Sequence, residues 1–272
     1  SAQIDAEVGA LYTTQSAFPG TVTDLVADYS LNGNGTDATQ FGNNATVSAT
    51  ATAVTNRHGW ASNAFSGYAT ADNSTQLQSD YTTISFWVKP NSLPGSGEVY
   101  LLSNGGWQER WKISLPSHGK PVFTTYATTC CSDMDSGDGN ELLVGAWKHV
   151  VMVHDGTNDK IFMNGVLVNQ KSSTGALHKT RYPLGIGYDP IDNGSFFDGS
   201  LDDVRVYNRA LSDAEVAALY AAQNQVPSVP GTLVAHYPFS GNGLDATAYA
   251  NNISTFKASL AADRFGKTNK AV

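Results

Sequence analysis

The chain has 272 residues, 16 basic and 24 acidic side chains and a formal net charge of −8, with charged residues at only 15 %. So few cations make no basic stripe that could track a phosphate backbone, and nucleic acid is excluded as an expected partner. No run approaches the roughly 18 apolar residues of a membrane span, so no membrane insertion is expected, while 41 % hydrophobic residues suffice for a substantial core.

The chain opens on a segment that it later repeats. Asp5–Tyr12 matches Asp213–Tyr220, and Leu25–Thr39 returns as Leu233–Thr247 at the same offset. One offset serving two separated segments is the mark of a tandem array. Residues 1–24 then read as the tail helix and linker of a preceding module, 25–223 as a complete module, 224–232 as a linker and 233–272 as the opening strands of a following one. Pro227 and Pro230 stiffen that linker, so a semi-rigid rod is expected, with neighbouring repeats or other copies of the chain as partners.

Within the module, Asn32-Gly33-Asn34-Gly35-Thr36-Asp37 packs oxygen-bearing side chains between glycines. Hard cations take six to eight oxygens, so this loop suits calcium; the alternative is that Asx and Gly residues simply cap turns. Strands are expected over 83–89, 99–103, 111–115, 122–127, 147–154, 160–164, 184–188 and 200–207, separated by Gly, Pro, Asn and Asp turns, with a hairpin at Asn164-Gly165. Only one helix is convincing: Ser212 and Glu215 form a capping box, and Val216, Leu219 and Tyr220 follow on one face. Many strands and a single short C-terminal helix predict an all-β, antiparallel two-sheet sandwich.

Three features between these strands carry chemistry. Ser132–Glu141 reads as an acidic loop in which Asp133, Asp135 and Asp138 resemble the start of an EF-hand; Gly137 and Asp138 stand where that motif needs an oxygen ligand and a glycine, so it is no EF-hand. Its readings are a polar ligand loop, a second calcium site or a solvated acidic loop. Cys130 and Cys131 are adjacent and have no third cysteine to pair with. A bond between them requires a strained turn, but free thiols seldom persist outside the cell, and a vicinal disulfide is one of two readings. The pair Asp202-Asp203 lies in an otherwise apolar strand and needs a partner for its buried charge.

Ile84–Pro90, Gly145–Val150 and Asp198–Ser212, in that order and spacing, resemble the signature of bacterial laminin-G-like modules of the concanavalin A-like lectin and glucanase superfamily. The resemblance implies a jelly-roll sandwich, usually extracellular or at the cell surface. It also implies a structural calcium between the first loop and the Asp pair, with Asn34, Asp37, Asp202 and Asp203 as ligands. Many relatives have Asp where this chain has Asn32 and Ser240, so one carboxylate is missing.

No catalytic pattern accompanies these motifs. The superfamily's glucanases carry two glutamates and an aspartate alternating on one strand, and glycoside cleavage needs paired carboxylates. The nearest imitation here, Asp133–Asp138, holds no glutamate. Sugar sites combine aromatic platforms with polar hydrogen-bonding groups; Trp107, Trp111, Tyr126, Tyr182, Tyr188 and Arg181 are available, with Trp107 expected to be exposed. Trp107, Asp133, Asp135, Asp138 and Tyr188 are the candidate ligand-binding residues. The expected function is a non-catalytic extracellular repeat module, serving adhesion or as a spacer, with a glycan or cell-surface ligand. A carbohydrate-binding module of a polysaccharide-degrading system and a subunit of an extracellular filament are the alternatives.

Overall fold

Apolar side chains at every second position commit one face of a strand to burial, and two such sheets bury those faces against each other. The computed structural model describes residues 24–128 and 130–224, together with Tyr237, Asn252 and Ile253. The expected preceding-module tail, and nearly all of the second linker and following module, lie outside the described residues.

One sheet runs in spatial order through β13 (Val166–Ser172), β12 (Asn158–Met163), β11 (Lys148–His154), β6 (Thr82–Pro90), β15 (Gly199–Tyr207), β4 (Ala64–Ser66) and β3 (Thr52–Val54), and β1 (Leu25–Tyr29) also pairs with β15. The second runs through β10 (Ser132–Asp135), β9 (Val122–Thr125), β8 (Trp111–Pro116), β7 (Glu98–Asn104), β14 (Leu184–Ile186), β5 (Ala69–Ala71) and β2 (Ala45–Val47). The pairing is antiparallel throughout, so the predicted sandwich is the architecture found. Ile84, Phe86 and Val88 of the first sheet share one core cluster with Ile113, Leu115 and Phe123 of the second. Trp111 belongs to that core and is 2 % exposed, which removes it from the sugar-platform candidates.

The acidic segment departs from expectation. Its first four residues, Ser132–Asp135, form edge strand β10 and pair with β9. Met134 enters the core, while Asp133 and Asp135 take the alternate positions, so a polar composition concealed a period-two pattern. A four-residue helix α1 (Gly106–Glu109) was also illegible, because it starts from two glycines of positive φ.

The C-terminal helix α2 (Asp213–Asn224) begins at the predicted box: the Ser212 amide donates to Glu215 at 2.8 Å, and the Glu215 amide donates to Ser212 Oγ at 3.3 Å. Val216 and Leu219 pack on Val151, Val153, Phe162 and Tyr207, so the helix covers part of the outer face of the first sheet. The box glutamate also takes both terminal nitrogens of Arg209, at 2.7 and 3.0 Å. That guanidinium, ahead of the cost of burial, holds the Glu215 carboxyl down at about 2.

Candidate functional site

Among the described residues no second helix of that length covers the outer face of the seven-stranded sheet; the loop after β14 lies on it instead, so Ser103, Ser114 and Thr124 are fully buried, Lys112 and Tyr100 nearly so, and only the margins at Thr46 and Asp133 are exposed. The strand register places Asp133, Thr124, Lys112, Ser103, Gly185, Thr70 and Thr46 in a single row across all seven strands. A parallel row runs through Asp135, Val122, Ser114 and Tyr100. The inward neighbours of these residues are the core side chains Ile113, Leu115, Phe123, Met134, Leu184 and Ile186.

The outward groups are tied together. Glu98 receives the Lys112 ammonium on one carboxylate oxygen and the Ser114 hydroxyl at 2.6 Å on the other. The Lys112 nitrogen stands 5.0 Å from the centroid of the Tyr100 ring, a cation–π arrangement. Thr124 Oγ1 donates to Asp133 at 2.6 Å. Burial first, then the carboxylates of Asp189, Glu98, Asp192 and Asp133, push the Tyr100 phenol well above its usual range. Burial, opposed by the amide hydrogen bond from Ile191, raises the Asp189 carboxyl. The face is therefore rich in carboxylates and hydroxyls around one lysine.

The segment following β14 folds over this face. A Cβ on Gly185 would lie 2.6 Å from Pro190 Cδ, so only glycine lets the loop sit on the sheet there. The loop carries Tyr188, whose hydroxyl lies 2.5 Å from Thr70 Oγ1, and Tyr188 stacks on Phe196 with ring centroids 5.7 Å apart and planes within 6°. Phe196 is 46 % exposed. Farther along, Ile191 meets the helix α1 position Gly106, and the next residue, Trp107, is 45 % exposed. The structure joins Cys130 to Cys131, with Cys131 at φ 75°, and their sulfurs lie 3.8 and 3.6 Å from the Trp107 carbonyl oxygen. Arg181 lies over the Tyr182 ring at 5.1 Å, with its charge against Glu109 at 3.9 Å.

Of the five candidate ligand residues, Asp133 and Asp135 share this face and Trp107 stands at the far end of the loop upon it, whereas Tyr188 in that loop is 6 % exposed, packed on Tyr68 and Phe196, and presents no ring to a ligand. Asp138 lies in the turn after β10 and pairs with Lys120. Glu98, Lys112, Ser114 and Asp189 were not singled out from the sequence. The signal was present in the alternation of β8, Trp111-Lys112-Ile113-Ser114-Leu115, but that its polar face is covered as well depends on the loop after β14. Tyr126 stacks on His178 at 4.0 Å instead of presenting its ring to this face.

The residues implied for calcium have partners within the chain. Asp37 accepts from the amides of Asp28, Thr39 and Asn43 and from the Thr39 hydroxyl at 2.7–3.0 Å, so both its oxygens organise its own corner. Asn34 Oδ1 accepts from the Thr36 amide, closing an Asx turn. Asp202 and Asp203 hold Arg57, each at 2.7 Å. Among the described residues no three His, Cys, Asp or Glu side chains are placed to share a metal ion.

Beside that ion pair lies His149, buried, with Nε2 2.9 Å from Ser85 Oγ. Burial first, then the charges of Arg57 and Arg205, lower its pKa to about 3. The folded ring stays neutral where the unfolded one, titrating near 6.5, has gained a proton. Its stability contribution is therefore complete above about pH 6.5 and is lost as pH falls towards 3, by up to ~1.4 kcal/mol per unit. Urea midpoints measured between pH 7 and 4 should show this slope, and His149→Gln should flatten it.

The laminin-G-like family model described as the concanavalin A-like lectin/glucanases superfamily matches residues 61–217, more than half of the chain. The chain belongs to this superfamily. Among curated proteins, none has a significantly matching sequence. Solved structures share the superfamily's fold at low identity. The binding domain of Paraclostridial Mosquitocidal Protein 1 superposes with a TM-score of 0.61 at 19 % identity, over 75 % of this chain and 53 % of that one. Domain 4 of AbnA, an extracellular arabinanase from Geobacillus stearothermophilus in complex with arabinotriose, gives 0.56 at 20 % identity, over 72 % of this chain and 98 % of that one. The binding domain of botulinum neurotoxin DC in complex with SialylT gives 0.58 at 12 % identity, over 86 % and 55 %. The chain thus spans about half the length of the toxin binding domains and almost all of the arabinanase domain.

Proposed function

We propose that this chain is a non-catalytic glycan-binding module of a repeat-built extracellular protein, and that it takes its ligand at the exposed margin of the seven-stranded sheet's outer face, where the loop after β14 presents Phe196 and helix α1 presents Trp107. The observation that carries this reading is the convergence on one face of an interlinked carboxylate, hydroxyl and lysine set with the exposed rings of Phe196 and Trp107 beside it. Sugars ask for both: planar polar groups for their hydroxyls and a ring face for their C–H surface. The glycan complex of the arabinanase domain, a neighbour of nearly the same extent, supports the class of ligand. Glu98, its two oxygens engaged by Lys112 and Ser114, holds this polar set in place. The repeat at both ends of the sequence supports a serial arrangement in which weak individual sites add through avidity.

The test is a glycan array probed with the full chain, followed by calorimetric titration of the strongest hit. Trp107→Ala should leave the melting temperature within about a degree, and Phe196→Ala, which also loses its packing on Tyr188 and Tyr68, should lower it by a few degrees. The removal of one stacking ring, worth ~1–1.5 kcal/mol, should weaken binding roughly tenfold in at least one of them. A chain that binds no glycan, or one that binds equally well after both substitutions, would leave the spacer role without a ligand and defeat this reading.

A further inference from the structure

Where the family resemblance implies a calcium ion, the chain supplies a cation of its own. Strand alternation sends consecutive side chains to opposite faces, so two adjacent carboxylates cannot normally meet one partner. Here β15 carries a bulge between Asp202 and Arg205, and Asp203 adopts φ 47°. The bulge re-aims the second carboxylate, and both reach the same guanidinium: Arg57 Nη1 to Asp202 and Nη2 to Asp203, each at 2.7 Å. Two further donors are used as well. Arg57 Nη2 and Nε donate to the carbonyl of Gln223 at 2.9 and 3.3 Å, in the last turn of α2, where the helix dipole favours positive charge. The guanidinium lies 4.5 Å over the Trp87 ring and is 9 % exposed.

The approach to this group is prepared locally. Asn56 Oδ1 accepts from the amides of His58 and Trp60, folding 56–60 into a turn from which Arg57 reaches inward. The site borders a cavity of about 240 Å3 whose lining includes Asn32, Asn63, Asp202, Asp203 and Arg205. Arg205, paired with Asp28 at 3.1 Å, is a second cation in the same wall. A divalent ion there would have to compete with Arg57 for the same two carboxylates and would stand beside the Arg205 guanidinium as well.

We propose that Arg57 is the resident cation of this module, seated between Asp202 and Asp203 where a calcium ion would otherwise be held, and that the fold is calcium-independent for that reason. The same contact ties the end of α2 to the sheet, so Arg57 fixes the point at which the chain leaves the module. Removing it would uncover two carboxylates beside the Asn32 and Asn63 side chains, an oxygen-rich set suited to a hard cation.

The experiment compares melting temperatures of the full chain and its variants in excess calcium and in EGTA. The wild type should melt at the same temperature in both. Arg57→Gln should melt several degrees lower in EGTA and recover part of that loss in calcium, because an ion bound only by the native state stabilises it by mass action. Arg57→Lys keeps the charge without the two-pronged geometry, so it should fold, melt at an intermediate temperature and ignore calcium. A wild type that loses stability on chelation overturns the proposal. So does an Arg57→Gln chain as stable as wild type, or one that folds and shows no calcium response. If Arg57→Gln fails to fold in EGTA, folding restored by calcium supports the proposal, and a calcium-responsive Arg57→Lys chain overturns it.

Discussion

Asp37→Ala is expected to lower stability by about 3–4 kcal/mol, equally in calcium and in EGTA. The carboxylate is nearly buried and accepts four hydrogen bonds from the strand β1 amide of Asp28, from Thr39 and from Asn43. Alanine would strand three backbone amides and a hydroxyl, and a donor buried without a partner costs ~1–3 kcal/mol, partly relieved as the corner relaxes towards water. For a module of this size the melting temperature should fall by roughly 10 °C. The corner depends equally on Gly35, where a Cβ would lie 2.1 Å from the Ala45 carbonyl oxygen, which places this loop among tight backbone crossings. Urea unfolding with and without the chelator checks the prediction. A loss below ~1 kcal/mol, or one that appears only in EGTA, would contradict it.

Asp159→Ala should cost a similar amount, about 3–5 kcal/mol, through a different mechanism. Asp159 and His154 are completely buried, with Asp159 Oδ1 2.7 Å from His154 Nδ1 and Oδ2 accepting from Thr125 Oγ1 at 2.6 Å. The other ring nitrogen lies 2.8 Å from the Gly175 carbonyl, and Thr125 Oγ1 lies 3.1 Å from Ser173 Oγ. Since β9 belongs to one sheet and β11 and β12 to the other, the network is a polar rivet through the sandwich. Removing the carboxylate strands a buried imidazole and a hydroxyl in a medium of low dielectric. Asp159→Asn keeps the shape and one acceptor, so its loss should be about half as large. Denaturant melts of the two variants that match wild type would show that the network contributes nothing to stability.

Much of the sandwich was legible because alternation is local. Ile84, Phe86 and Val88 declare a core face by alternation, the apolar run Val150–Val153 declares a strand buried on both faces, and Ser212 with Glu215 declares the helix start. β2 to β5 were not legible: their Ala and Thr residues lack the contrast between faces that sets a period, and pairing with neighbours alone makes them strands. The Asp202-Asp203 pair was rightly read as needing a partner for its charge. The partner, Arg57, is 145 positions away from Asp202 and is brought to it by the β15 bulge, which nothing local in the sequence announces. The candidate face is a similar case, since the contact of Glu98 with Lys112 and Ser114 depends on the register of β7 against β8.

The central claim is that a glycan binds at the exposed margin of the seven-stranded sheet's outer face. Its most direct test is nuclear magnetic resonance mapping of an isotope-labelled chain titrated with the oligosaccharide chosen from the array. Saturable shifts should gather on Trp107, Phe196, Glu98 and Asp133, and should leave Arg57 and helix α2 unmoved. Shifts confined to the cavity around Arg57, or the absence of saturable shifts with any glycan, would contradict the account.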